Sequence, residues 1–473
     1  MSSVAVPKKM VPVPNVYGVE SFKEIKPEMV ALHPIQHKDT NFTASGTNRI
    51  SFKIPAYSNA LLDTSRSFLH MQLSSAAGSA VETALAQGLP IFERMVVKTS
   101  SGLTLEDVSD MDILSHMLSF VKPTEWEKAS LYGNRTERQN NTRGTTGLLN
   151  ANATHANILR NEVVMKFDWG IFDKKLSKFI PLFMADGGAG YSFDVDFYVS
   201  NRGTAILNVA APGTGAMGAI QIESPVWYLQ LMRMDEGLAR RFNQMAVSGE
   251  EIRIPFHTYH THNASGQAED QIVYIHENAT NFKKIITCLH KAGEPLIRYE
   301  TSTDSSNVPE GIQHNGMAGG VSQIGSGYPT VNYYNYRVGA QHVYNEPVQE
   351  SLSNTRTLQF VKQAFGIPDE MTTGLELQSP AGEIDLATAA NTLESRVFDR
   401  YRWMSVASFD YSPADADVVQ GISSSNPVQL DIKFTGSPSG FNILNFCELG
   451  YDLVFRGGAV HYEEQKPGSQ SVY

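Results

Sequence analysis

The stretch HTYHTH places three imidazoles, His257, His260 and His262, within six residues. Imidazole is the commonest metal ligand and changes charge near neutral pH. On a strand the side chains alternate, so His260 and His262 share one face and His257 lies on the other. A metal site needs a third or fourth ligand. Asp270 and His276 are at hand, but nothing in the spacing specifies one. The segment reads as an exposed polar strand end. In YSFDVDFYVS, Asp194 and Asp196 stand opposite Phe193, Val195, Phe197 and Val199. Two carboxylates on one face could hold a cation, but this alternation is also that of a half-buried strand with its acids in solvent. Glu106 and Asp107, beside a turn, read as solvated. The glycine-rich runs GTGAMG (213–218) and GGAGY (187–191) lack the strand-to-helix setting and the following Lys-Ser/Thr of a phosphate loop. There is no G-x-S-x-G, no H-E-x-x-H and no Cys–His arrangement of known spacing. The residues therefore predict no catalytic set, no cofactor and no metal, and the chain is not read as an enzyme.

Composition narrows the remaining classes. A chain of 473 residues is too long for one ordinary core, so two or more domains are expected. Apolar residues at 41%, charged residues at 18%, aromatics at 10% and 37 glycines favour a globular, turn-rich β-protein. The net charge of −11, with Lys8 and Lys9 the one basic cluster near a terminus, argues against neutralising phosphates, so no direct nucleic-acid binding is expected. Cys288 and Cys447 lie in apolar runs and read as reduced core thiols. No apolar run approaches the ~18 residues of a membrane span.

The alternation of apolar and polar residues then gives the elements. Residues 1–45, with Val-Pro alternation in VAVPKKMVPVPNVYG, suit an extended arm. RISFKIPAY sets Ile50, Phe52 and Ile54 on one face, and strands follow at SFLHMQLSS and IFERMVVKTSSGLTLEDV. SDMDILSHMLSFV has helical spacing, TEWEKASLYGN reads as a second short helix, and 134–160 as a long polar loop. Strands resume at EVVMKFDWGIF, KFIPLFM, YSFDVDFYVS and PVWYLQLMRM. In DEGLARRFNQMAVSG, Asp235 caps a helix whose Leu238, Phe242 and Met245 form an apolar stripe beside Arg240 and Arg241. Strands return at EIRIPFHTY, QIVYIHENA and FKKIITCLHKA. A Ser/Gly/Tyr-rich loop is expected over 300–340, then a helix in VQESLSNTRTLQFVKQAFGI, then the closing strands FDRYRWMSVASFDY, VQLDIKFTG and FNILNFCELGYDLVFRGGAVHY.

RISFKIPAY (49–57) and EIRIPFHTY (251–259) echo each other: both alternate, pass through Ile-Pro and end on Tyr. They set Ile50, Phe52, Ile54, Pro55 and Tyr57 beside Ile252, Ile254, Pro255 and Tyr259 as the first strands of two similarly ordered halves. Each half then holds roughly eight strands, which fits a jelly roll. The expected fold is all-β: two tandem eight-stranded jelly-roll sandwiches with short helices in the loops and a linker helix. The expected boundaries are an arm at 1–45, a first roll at 46–234, the linker at 235–248, a second roll at 249–463 and a tail at 464–473.

The chain also resembles the double jelly-roll major capsid proteins of icosahedral double-stranded DNA viruses, nearest those of polinton-like viruses, virophages and larger algal viruses. WYLQLMRMDEGLARRFNQ followed by EIRIPF looks like that family's junction of last strand, linker helix and opening strand. RMVVKTSSGLTLEDVSDMDILSHMLSF, FIPLFM with YSFDVDFYVS, QIVYIHENATNFKKIITCLHKA, DADVVQGISSSNPVQLDIKFTG and the closing strand pair resemble further segments, together spanning most of 49–463. The resemblance implies a homotrimer of pseudo-hexameric outline that tiles shell facets in the virion and is made inside the host cell. It also implies contacts with neighbouring capsomers, penton and minor capsid proteins or an internal membrane. Two other readings stay open: a carbohydrate-binding sandwich or fibre head, for which exposed clustered Trp would be expected, and a sandwich hydrolase, for which a convergent acid/base set would be.

Overall fold

A computed structural model describes residues 25–35, 42–43, 49–75, 81–83, 92–121, 160–184, 191–200, 206–208, 220–277, 279, 281–291, 330–349, 355–371, 376–377, 397–398, 404–409, 427–456 and 459–465. In the first half the principal strands are β1 (Ile25–Leu32), β2 (Arg49–Pro55), β3 (Ala60–Ser75), β4 (Phe92–Thr99), β5 (Thr104–Ser109), β6 (Arg160–Met165), β7 (Tyr191–Val199) and β8 (Ile220–Met234). Helix α1 (Met111–Phe120) follows β5, and α2 (Glu236–Val247) follows β8. In the second half come β9 (Ile252–Ser265), β10 (Asp270–Ile275), β11 (Phe282–Lys291), β12 (Thr330–Val338), β13 (Gln341–His342), β14 (Ser405–Ser408), β15 (Val428–Thr435) and β16 (Phe441–Arg456). Helix α3 (Thr355–Ala364) lies between β13 and β14, and β17 (Ala459–Glu464) closes on β16.

The pairing repeats. Among the described residues the main antiparallel sheets of the first half run in the orders β1-β8-β3-β6 and β2-β7-β4-β5. Those of the second run in the orders β9-β16-β11-β14 and β10-β15-β12-β13, with further short strands and a two-stranded sheet in each half. Adding eight to every strand of the first pair of sheets yields the second pair. Each half is thus a jelly roll in which the first and last strands lie side by side. This is the double jelly roll expected from the alternation.

Alternation also explains the cores. Ile50, Phe52 and Ile54 of β2 and Phe193, Val195 and Phe197 of β7 are buried. Trp227 of the opposite sheet meets Phe52, Phe167, Phe172 and Phe197, with ring centroids 5.0–5.9 Å apart. In the second roll the buried rings include Tyr334 and Tyr336. Their hydroxyls keep partners inside: Tyr336 bonds Thr287 Oγ1 at 2.8 Å and Ser405 Oγ at 2.7 Å, and Tyr334 bonds Thr357 Oγ1 at 3.1 Å. Cys288 and Cys447 are free and buried, and burial pushes both thiols up.

Several expectations are corrected. The arm does not run to residue 45: Ile25–Leu32 pairs residue by residue with Trp227–Met234. The Ile-Pro echo is not a repeat of one strand, because Arg49–Pro55 is second in its roll and Ile252–Ser265 is first in the other. By position, β1 corresponds to β9 and β2 to β10. The loop expected over 300–340 gives way at Thr330 to β12, whose inward tyrosines make it part of the core. The tail begins later than 464: Glu464 pairs with Tyr451, and the buried Gln465 donates to Tyr451 O at 3.0 Å and accepts from Asn281 Nδ2 at 3.0 Å. Asp196 is not solvated but buried, bonded by Ser51 Oγ and 3.5 Å from Arg49. The helix expected over 124–134 and the loop over 134–159 lie outside the described residues.

Candidate functional site: the junction between the two rolls

Helix α2 starts where Asp235 Oδ1 accepts the Leu238 amide at 2.7 Å, the N-cap read from the sequence. Gly249, at φ +78°, follows its end. Leu238 and Phe242 are buried, and Phe242 meets Phe183 of the first roll edge-on at 5.7 Å. Arg240 and Arg241 are exposed. The side chain of Met245 lies outside the described residues. The apolar face of the linker is therefore seated on the first roll.

The rolls also touch directly. Strand β9 runs past β5 and past the segment 166–178 of the first roll. Thr258 Oγ1 donates to Glu106 Oε1 at 2.6 Å, and Thr261 Oγ1 to Ser109 O at 2.8 Å. The Gly170 amide donates to His257 O at 2.7 Å, and Lys178 Nζ to Arg253 O at 3.0 Å. Trp169 packs edge-on against Tyr259 at 6.4 Å.

Glu106 is the centre of this seam. It is 3% exposed, and its second oxygen accepts the Ile171 amide at 3.0 Å. Burial raises its carboxyl to about 7. Gly170 has φ +82°, where a side chain is strained, and a Cβ there would stand 2.4 Å from Glu106 Oε1 and push the carboxyl from its place.

Charged groups of the second roll line the same region. Tyr259 Oη donates to Glu448 at 2.8 Å, and Lys284 lies 3.1 Å from Glu448. Burial would raise Glu448, but Lys284 foremost, with His257, Lys283 and Tyr259, holds it at about 2. Glu277 bridges His260 (3.1 Å) and His262 (2.8 Å), whose hydrogen bonds outweigh its burial and hold it at about 2. His260 is in turn raised: burial lowers it, but Glu277 prevails. His257 points elsewhere, 3.9 Å from Asp173; burial lowers the imidazole and raises the carboxyl. The HTYHTH imidazoles thus divide between two carboxylates, as strand alternation requires.

Of the other residues singled out, Ile50, Phe52, Ile54, Ile252 and Ile254 are core. Tyr57 is half-buried with the Arg233 guanidinium 4.4 Å from its ring centroid, and Pro55 and Pro255 are half-buried. The sequence reading took Glu106 for a solvated acid, whereas it is buried, and missed Gly170, Lys284, Glu277 and Glu448. One signal was available: Glu106 is two residues from Val108, so it shares the inward face of β5. Chemically the junction is a set of hydrogen bonds and ion pairs that fixes one roll against the other.

No protein-family model matches the sequence, and no curated protein matches it. Solved structures do. A chain of the PBCV-1 virus capsid matches with TM-score 0.58 at 9% identity, over 94% of this chain and 98% of that one. PBCV-1 VP54, fitted into a reconstruction of the virophage Sputnik, matches with TM-score 0.57 at 10% identity, over 94% and 98%. A chain of the Sputnik virophage matches with TM-score 0.52 at 10% identity, over 98% and 93%. The double jelly roll read from the strand order is therefore a fold that this chain shares, over nearly its whole length, with chains of the PBCV-1 capsid and the Sputnik virophage.

Proposed function

We propose that the chain is the major capsid protein of an icosahedral double-stranded DNA virus. In this reading three copies form a capsomer of pseudo-hexagonal outline that tiles the shell facets. The observation that carries it is the repeated strand order, β1-β8-β3-β6 with β2-β7-β4-β5 and the same again eight strands later. Two similar rolls per chain turn a threefold assembly into six similar lobes, which is what close packing on a flat facet needs. The seam and α2 hold the lobes at one relative angle within each chain.

The same reading assigns other parts. We take the first roll as starting at β1, so the segment left to reach neighbouring capsomers, penton and minor proteins or an internal membrane is 1–24. The polar stretches 134–159 and 292–329 suit wet contacts between subunits. A net charge of −11 holds the protein off packed DNA, as befits a shell that is not a nucleoprotein. The protein would be made and assembled in the host cell and reside in the virion. Light scattering on the purified chain should return about three times 52.1 kDa. A monomer at all concentrations would refute the trimer.

A further inference from the structure

Among the described carboxylates at the seam, Glu106 takes a hydrogen bond from the other roll, while Asp173 reaches across it only to His257, 3.9 Å away. Glu106 belongs to β5 of the first roll, is buried, and takes a hydroxyl from Thr258 of the second. Its other oxygen takes the amide of Ile171, in the segment that also bonds β9 through Gly170 and His257. One carboxyl group therefore ties three elements: β5, the 166–178 segment and β9.

Both hydrogen bonds donated to Glu106, from Thr258 and from the Ile171 amide, favour a charge, but burial outweighs them. Asp173 faces it from the 166–178 segment, where Asp168 is paired with Lys174. On its own strand Asp107 is paired with Arg94. From β9, His260 is the one favourable charge acting on Glu106, and His260 is itself engaged with Glu277. Farther into the second roll, Glu448 has its own partner in Lys284.

We propose that Glu106 is a proton-operated latch between the rolls, closed when its carboxyl is neutral and loosened when it ionises. In the neutral form the carboxylic acid and Thr258 hydroxyl bond without a buried charge. In the ionised form the charge is buried beside Asp173, and opening the seam to water relieves it. The sign follows from the raised value. A carboxyl that titrates near 4.5 when solvated and near 7 when the seam is closed stabilises closure fully below 4.5, and that contribution is lost as pH rises through about 7. Asp173 and His260, both raised, act in the same direction; His257, lowered, acts against it. For a shell, and only on the capsid reading above, the latch would make the angle between lobes tighter in mild acid than at neutrality.

The test is hydrogen exchange on the full chain from pH 5 to 7.5, corrected for intrinsic rates. It follows peptides covering 166–178 and 252–262 against core peptides of β7 and β16. Opening at the seam should rise by up to about tenfold per pH unit between pH 5 and 7, while the core peptides stay flat. Glu106→Gln, which fixes a neutral group of the same shape, should remove most of that rise. A seam whose protection does not change with pH in the parent overturns the latch, whether or not the variant folds. So does a Glu106→Gln protein that keeps the full pH dependence, since the His260–Glu277 pair would then carry it. Neither result bears on trimer formation, so the latch and the capsid reading fail separately.

Discussion

At the scale of single residues, the charges of the second roll were the least legible part of the sequence. Lys284 and Glu448 lie 164 positions apart, on β11 and β16, and neither has a local pattern that announces a pair. Glu448 is 5% exposed, and Lys284 is the foremost of the groups that keep it charged. Lys284→Met should destabilise the chain by about 3–5 kcal/mol near neutral pH, the usual cost of stranding a buried charge. The pH profile should change as well. In the parent, Glu448 contributes stability above the ordinary carboxylate range that is lost as pH falls toward about 2. In the variant burial is opposed only by the weaker effects of His257, Lys283 and Tyr259, so this acid loss should shrink. Thermal midpoints of both proteins from pH 2.5 to 7 check it; equal midpoints at pH 7 would mean the pair is not coupled in the fold. Glu106 was misread for a related reason. It lies in a strand that begins just after a turn, while the groups that bond it come from Ile171 and Thr258, far along the chain.

At the scale of elements, strands with one buried face were readable and strands held by main-chain pairing were not. Arg49–Pro55 and Val428–Thr435 alternate and were found; Phe92–Thr99, buried at three successive residues, was found from its apolar run and the turn that follows. Ile25–Leu32, IKPEMVAL, is an edge strand with mostly exposed side chains and a proline, so it has no apolar stripe to detect. Its place depends on its ladder with β8. Thr330–Val338 was hidden by composition: asparagine and tyrosine suggested a loop, yet Tyr334 and Tyr336 serve as core residues because their hydroxyls are bonded inside. The role of β1 makes a deletion pair informative. A chain beginning at residue 25 should fold and melt like the parent. One beginning at residue 33 should lose cooperative melting or aggregate, because β8 would present an unpaired edge. If both truncations melt alike, β1 is dispensable to the roll.

At the scale of the whole molecule, the two rolls are related by order of strands and held by two devices, α2 and the seam. Phe242 is 3% exposed against Phe183, so Phe242→Ala should cost ~3–5 kcal/mol by calorimetry. On the proposed capsid reading, a small change of angle would be multiplied by six lobes and many capsomers, so particle yield should fall even at temperatures where the proposed trimer persists. Normal melting together with normal particles would make α2 a passive tether. The central claim, that this chain is built to make a six-lobed block from three copies, is tested most directly by negative-stain images of the purified protein. Class averages should show a pseudo-hexagonal outline about 7–9 nm across, the size expected of three two-roll chains. Isolated two-lobed particles, or a ring with any number of copies other than three, would contradict it.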